Sequence, residues 1–286
     1  MISLSISLVN FGRKEFDVML GKDIRMNRLI PGDDGKYFGL TVDHAIARGV
    51  MPGLDTINDT LCKIIAGGPN AVTMHKGIAD LCFKDFAGKV PLSLKLTTFS
   101  PYQPGADVQV ATVEEALMYG ADAVSAGCIV GGDNQAEQIA QLSRISFEAR
   151  KYGMPLICHI YPRGNLIPAE DRKSVENVIY AARVAAELGA DIIKTSYTGS
   201  RDSFAKVVDA VPAKVAIAGD TGSKNVREFL QMTRDVIDAG AVGVTYGRYV
   251  FTYPNVTELV LTLNKVIHEN YSCDEAVEYL ETLEHK

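Results

Sequence analysis

Paired cysteines, blocks of like charge and long apolar runs are all missing from this sequence. Its five cysteines, Cys62, Cys82, Cys128, Cys158 and Cys273, are odd in number and contain no CxxC spacing. Neither a disulfide framework nor a cysteine-based zinc site is therefore written into the chain. Most of them sit in apolar stretches, and reduced thiols in a cytoplasmic protein are the expectation. The net charge of −6 includes no basic stripe and no interleaving of basic with aromatic residues. Neither a nucleic acid nor an anionic membrane is thus an expected partner. The opening MISLSISLVNFGRKEF lacks the positive start and apolar stretch of a signal peptide, and no later segment approaches the length of a membrane span. What remains is a globular chain of 286 residues, 47% hydrophobic, able to build a large core and suited to a small-molecule partner.

Four stretches resemble one another: GGPNAVTMHKG, YGADAVSAGCI, LGADIIKTSYTG and AGAVGVTYGRYVF. In each, a glycine ends an amphipathic helical run and a β-branched apolar run follows. They recur at intervals of roughly 50 to 70 residues, the length of two β-α units in a barrel of about 250 residues. The strands between them are KYFGLTVDH, VPLSLKLTT, MPLICHIYP and AKVAIAGD. Helices lie between strands: Thr112 and Glu115 form a capping box, and SVENVIYAARVAAELG has helical spacing before its terminal glycine. Strand and helix alternate about eight times, with strands apolar enough to be buried on both faces. The expected fold is α/β, a single-domain (β/α)8 barrel of the TIM type. Residues 1–35, with the turn PGDDGK, are expected to form an arm over one barrel end. Residues 36–286 are expected to form the catalytic barrel, finished by two closing helices, the second capped by Ser272 and Glu275.

A barrel of this kind carries its chemistry at the C-terminal ends of its strands. Read in order, those ends offer Asp43, His75 with Lys76, Lys95, Ser125, Tyr161, Lys194, Gly219 with Asp220, and Gly247 with Arg248. Strand alternation puts Ile192, Lys194 and Ser196 on one face and Ile193 and Thr195 on the other, and Lys194 is assigned to the lumen. Two readings stand for it. An amine deprived of water loses proton affinity and can attack a ketone to form a Schiff base; alternatively, the lysine is a cation neutralised by Asp43 or another carboxylate. Tyr161, where Pro162 stops the strand, is either an acid-base group or a packed rim residue. Asp43 either positions substrate and relays protons or forms an ion pair with Lys194 or Arg163. Gly219, Asp220, Gly247 and Arg248 follow the last two strands, where such barrels bind phosphate through backbone N–H groups; a simple turn is the other reading.

These residues together resemble the archaeal-type class I fructose-bisphosphate aldolases, most nearly the 2-amino-3,7-dideoxy-D-threo-hept-6-ulosonate synthase branch. DHAIARGVMPGLD, NAVTMHKGI, TVEEALMYGADAVS, GMPLICHIYPRG, LGADIIKTSYTG, FLQMTRDVIDAGAVGV and KVIHEN carry the likeness over nearly the whole chain, and DIIKTSYTG and YPRG are its specific parts. The resemblance implies an aldolase or transaldolase acting on a phosphorylated ketose or related hydroxy-ketone. It implies Lys194 as the Schiff-base lysine, Tyr161 as the acid-base tyrosine, Asp43 as the first-strand aspartate, no cofactor, and a homo-oligomer of high order. Three stretches depart from the family pattern. Asp220-Thr221-Gly222 stands where Gly-Pro-Lys is usual, SAGCIVGG replaces a polar, histidine-containing stretch, and Tyr249 follows Gly247-Arg248 where asparagine is usual.

His44, His75 and His159 end strands and could ligate zinc as in class II aldolases, but His44 is expected on the strand face opposite Asp43. A flavin-binding barrel shares the phosphate loops, and a catalytically silent barrel could bind a sugar phosphate as a sensor.

Overall fold

Strands that are apolar on both faces leave no edge for water, and here they close into a ring. In the computed structural model, which describes residues 19–219, 223 and 225–285, α1 (Leu20–Leu29) precedes β1 (Tyr37–Thr41), α2 (His44–Arg48), α3 (Ile57–Ala66), β2 (Ala71–Met74), α4 (Lys76–Cys82) and β3 (Leu92–Lys95). A hairpin of β4 (Thr97–Ser100) and β5 (Gln103–Gln109) leads to α5 (Val113–Met118), β6 (Ala123–Ile129), α6 (Gln135–Lys151), β7 (Leu156–Tyr161) and α7 (Val175–Glu187). Then come β8 (Ile192–Thr195), α8 (Arg201–Ala210), β9 (Lys214–Ala218), α9 (Val226–Asp238), β10 (Gly243–Tyr246), α10 (Arg248–Phe251), α11 (Val256–His268) and α12 (Cys273–Glu284). The order β1-β10-β9-β8-β7-β6-β3-β2 is a closed barrel, and every neighbouring pair is parallel. It is the eight-stranded (β/α)8 barrel that the sequence alternation leads one to expect. No described helix is long and apolar enough to cross a membrane.

Alternation along each strand divides the molecule into two cores. Phe38, Leu40, Val72, Leu94, Val124, Ile193, Val215 and Val244 face outward and pack under the helices. Tyr37, Ala71, Ala123, Ile157, Ile192 and Ala216 face inward and form a second cluster at the N-terminal end of the strands. Gly39 makes room for the large Tyr37 ring: a Cβ there would stand 2.5 Å from the Tyr37 hydroxyl. Leu29, the last residue of α1, is fully buried in this inner cluster. The helix thus contributes an apolar plug that shuts the bottom of the lumen against water.

The helix starts follow their local chemistry. Thr112 and Ser272 accept from the backbone N–H groups of Glu115 and Glu275, whose carboxylates accept in return from the cap N–H groups. Ser174 and Asn225 cap α7 and α9.

The β4–β5 hairpin has no counterpart in the alternation read from the sequence, where VPLSLKLTT is a single strand. Most of β5 is exposed, so it lacks the apolar run that marks a barrel strand. Side-chain amides at the start of α6 clamp it instead: Gln138 and Gln141 donate to the Asp107 carbonyl at 2.8 and 3.0 Å, and Asn134, just before the helix, donates to the Gly105 carbonyl at 2.9 Å.

Leu29→Ala should destabilise the protein by about 2 to 5 kcal/mol, the usual cost of a large-to-small change in a packed core. Urea denaturation measures it, and a change below about 0.5 kcal/mol would show that α1 is not part of the barrel's closure.

Candidate active site

The strands bring most of the chemistry-bearing residues to one cavity at their C-terminal ends. Lys194, Tyr161, Asp43, Gly219, Gly247 and Arg248 all line it.

Lys194 is 6% exposed, and its strand neighbour Ile192 is in the inner cluster while Ile193 is in the outer core. The lysine therefore faces the lumen. It makes no hydrogen bond or ion pair with another described residue, so the reading of a cation held by a carboxylate has no contact to rest on. Burial brings its amine down to about 8; Asp43 pulls the other way, and Lys95 and Arg248 add to the lowering. A buried ammonium loses its hydration, and nearby cations raise its energy further.

Asp43 lies two residues past the end of β1 and immediately before α2. The chain has left the strand by then, so strand alternation no longer applies to His44. Asp43 and His44 both line the cavity, and His44 Nδ1 is 3.4 Å from Asp43 Oδ1. This corrects the expectation that His44 faces away. Burial pushes the Asp43 carboxyl up, but His44, Lys95, Lys194 and His75 together outweigh it and leave it below the ordinary carboxylate range. His44 is lowered to about 4, mainly by burial. It is a neutral imidazole at pH 7.

Tyr161 ends β7 beside Pro162, and burial raises its phenol above the ordinary value, with Arg163 opposing. The Arg163 guanidinium lies 5.0 Å from the Tyr161 ring centre and 4.3 Å from that of Phe99 on β4. The hairpin therefore forms one wall of the site.

Three of the expected strand-end residues, Ser125, Lys76 and His75, do not line the cavity. Ser125 is in the middle of the seven-residue β6, and its hydroxyl is 2.5 Å from that of Ser93, deeper in the barrel. Lys76 belongs to α4 and pairs with Glu115 at 2.5 Å. His75 is half-buried, and neither ring nitrogen has a hydrogen-bond partner among the described residues.

Three site residues, Lys95, His159 and Asp107, were not singled out from the sequence as a working group. Lys95 Nζ is 3.1 Å from His159 Nδ1. With Lys95 as the donor, Nδ1 accepts and the imidazole proton sits on Nε2. Burial, with Lys95 and Lys194 adding to it, holds His159 well below its ordinary range. Asp107 arrives from β5 and is 4% exposed. The inward spacing of His159 and Tyr161 on one strand was a readable signal; the hairpin that delivers Asp107 left none.

Gly219 and Gly247 are tight positions. A Cβ on Gly219 would stand 2.8 Å from the Tyr246 ring, and one on Gly247 would stand 2.5 Å from the His44 ring. Arg248, the first residue of α10, reaches the cavity. Asp220 falls outside the described residues. Tyr249 is not among the residues that line the cavity; it stacks on Phe229, with ring centres 4.0 Å apart and planes 16° apart. An aromatic surface next to Phe229 is buried more favourably there than beside polar substrate.

Among the described residues, no three His, Cys, Asp or Glu side chains are grouped to hold a metal ion. The zinc reading based on His44, His75 and His159 lacks a ligand cluster.

Residues 38–253 match the sequence pattern of the DeoC/LacD family of aldolases. The chain belongs to that family. A curated relative, 2-amino-3,7-dideoxy-D-threo-hept-6-ulosonate synthase of Halobacterium salinarum, is 37% identical over 252 residues, covering 87% of this chain and 92% of the relative. Among solved structures, an archaeal fructose 1,6-bisphosphate aldolase is 30% identical with a TM-score of 0.79, covering 87% of this chain and 99% of that one. A further archaeal fructose-1,6-bisphosphate aldolase, solved with its catalytic lysine covalently bound to the carbinolamine intermediate of its substrate, is 29% identical with the same TM-score, covering 86% and 99%.

The opposing charges around Lys194 in this aldolase give a test by sign. Asp43→Asn should shift the pH profile of Lys194 reductive methylation to lower pH, because an attractive charge is lost. Lys95→Met should shift it to higher pH. Peptide mass spectrometry reads both, and shifts of the same sign would contradict the electrostatic description.

Proposed function

We propose that this aldolase works by a Schiff base on Lys194, forming or breaking a carbon–carbon bond in a phosphorylated ketose or related hydroxy-ketone. One observation carries the reading: a buried lumen lysine with no ion pair among the described residues and its amine lowered to about 8. About a tenth of such a population is neutral at pH 7, against well under a thousandth for a solvent lysine with a pKa of about 10.4. The archaeal neighbour with its lysine bound to a carbinolamine supports the same chemistry.

The neutral amine attacks the ketone carbon, and the carbinolamine loses water to give an iminium. When the adjacent carbon–carbon bond breaks, its electron pair moves onto the iminium nitrogen as an enamine, and the departing fragment leaves as an aldehyde once its hydroxyl proton is removed. In the other direction the enamine carbon attacks an aldehyde, whose oxygen takes up a proton. After bond formation, or once the enamine carbon has taken up a proton in the cleavage direction, water hydrolyses the iminium and frees Lys194. Tyr161 is the proposed acid-base group. Its raised phenol is protonated at rest, which suits it to protonate the aldehyde oxygen as the bond forms. Asp43 assists by stabilising positive charge on Lys194 and its iminium. Gly219, Gly247 and Arg248 are proposed to receive the phosphate, with bare backbone at the two glycines and a charge-assisted hydrogen bond from the arginine. Asp220 is proposed to accept from a substrate hydroxyl or ammonium.

Borohydride reduction with dihydroxyacetone phosphate should add one ketose phosphate to the wild-type protein at Lys194 and nothing to Lys194→Arg. Tyr161→Phe should still be trapped while its turnover falls about 10²-fold or more. Trapping at another lysine would move the nucleophile, and full turnover by Tyr161→Phe would return that tyrosine to packing.

A further inference from the structure

Gly127 on β6 is the register partner of His159 on β7, and His159 is in turn the partner of Lys194 on β8. The three stand in one row around the barrel wall, with about 4.8 Å between adjacent strands. Gly127 alternates with Ala123 of the inner cluster, so its missing side chain would point into the lumen. The carboxylate of Asp107 occupies that space. A Cβ on Gly127 would stand 2.5 Å from Asp107 Cγ and 2.7 Å from its Oδ1. The hairpin is held in this position by the α6 amides on the Asp107 carbonyl and by Thr97 Oγ1, which accepts from the Gly127 N–H at 2.5 Å.

Two polar atoms in this row are buried without hydrogen-bond partners among the described residues: Asp107 Oδ1 and His159 Nε2. One only accepts, and the other carries the imidazole proton and donates. They are not hydrogen-bonded to each other, yet both residues line the cavity. An unsatisfied buried carboxylate is costly, more so than a neutral group, and points to a ligand that satisfies it. An ammonium would suit Asp107 but leave His159 unsatisfied, and a phosphate or carboxylate would suit His159 but be repelled by Asp107. A hydroxyl both donates and accepts.

We propose that Asp107 and His159 form a recognition site for a hydroxyl group of a polyhydroxylated substrate chain. The hydroxyl donates to Asp107 and accepts from His159 Nε2, and Gly127 is the residue that admits the carboxylate. The inference rests on the cavity being the substrate site of the proposed aldolase reaction. It gives the departure at SAGCIVGG a purpose: the stretch supplies an empty place for Asp107 rather than a polar side chain of its own.

The test uses non-covalent probes, so that it does not depend on Schiff-base formation. Calorimetry of the full chain with the 1-phosphates of D-mannitol, D-glucitol and D-galactitol, against hexyl phosphate, separates the hydroxyls from the chain length. Wild type should bind at least one hexitol phosphate about 10-fold or more tightly than hexyl phosphate, as hydrogen bonds to a charged group allow. Asp107→Ala should remove most of that preference, and Gly127→Ala should do the same by displacing a carboxylate that is still present. Asp107→Asn, which keeps the shape and one acceptor, should lose part of it and carries the test if the alanine variants fold poorly. No preference in wild type, or an unchanged preference in the variants, overturns the proposal. Borohydride trapping of wild type with dihydroxyacetone phosphate reports separately on Lys194. Failed trapping with an Asp107-dependent preference removes the Schiff base alone; successful trapping without that preference removes the hydroxyl site alone.

Discussion

Dehydration of one amine is the constraint on which the rest of this structure depends. Lys194 could not hold a lowered proton affinity in a water-filled channel, because solvation would restore the ammonium. The inner cluster of Tyr37, Ala71, Ala123, Ile157, Ile192 and Ala216, plugged by Leu29, removes water from below. The β4–β5 hairpin, with Phe99 against Arg163, walls the site at the opposite end. Each strand then needs only to present its inward residue at the right height, which parallel pairing fixes residue by residue.

The charges around that amine are balanced rather than merely collected. Lys95 and Arg248 lower Lys194, and Asp43 raises it. A stronger carboxylate partner would raise the proton affinity of Lys194, and loss of Asp43 would lower it. Lys95 Nζ also stands 3.1 Å from His159 Nδ1, so one side chain acts on both Lys194 and the neighbouring imidazole. In this chain Gly127, Asp107 and His159 stand in the same cavity wall as that amine.

Much of the barrel was legible because its signals are local and periodic. Glycine-ended helices followed by β-branched runs mark every second strand, and the capping boxes at Thr112 and Ser272 form as their spacing indicates. Lys194 and Tyr161 could be placed because each sits on a regular strand where alternation holds. His44 was misplaced because the strand ends at Thr41, and Ser125 was put too high because β6 runs to Ile129. Asp107 was illegible for a deeper reason. Its place in the lumen depends on a hairpin held by α6 amides and on the absence of a side chain at Gly127, and both are long-range facts.

Direct titration of the Lys194 side chain tests the account at its centre. NMR of protein labelled with ¹³C at the lysine Cε carbons, with the Lys194 signal assigned by its loss in Lys194→Arg, follows protonation of this amine without any substrate. The account predicts a midpoint near about 8. A midpoint near that of a solvent-exposed lysine, about 10.4, would contradict it.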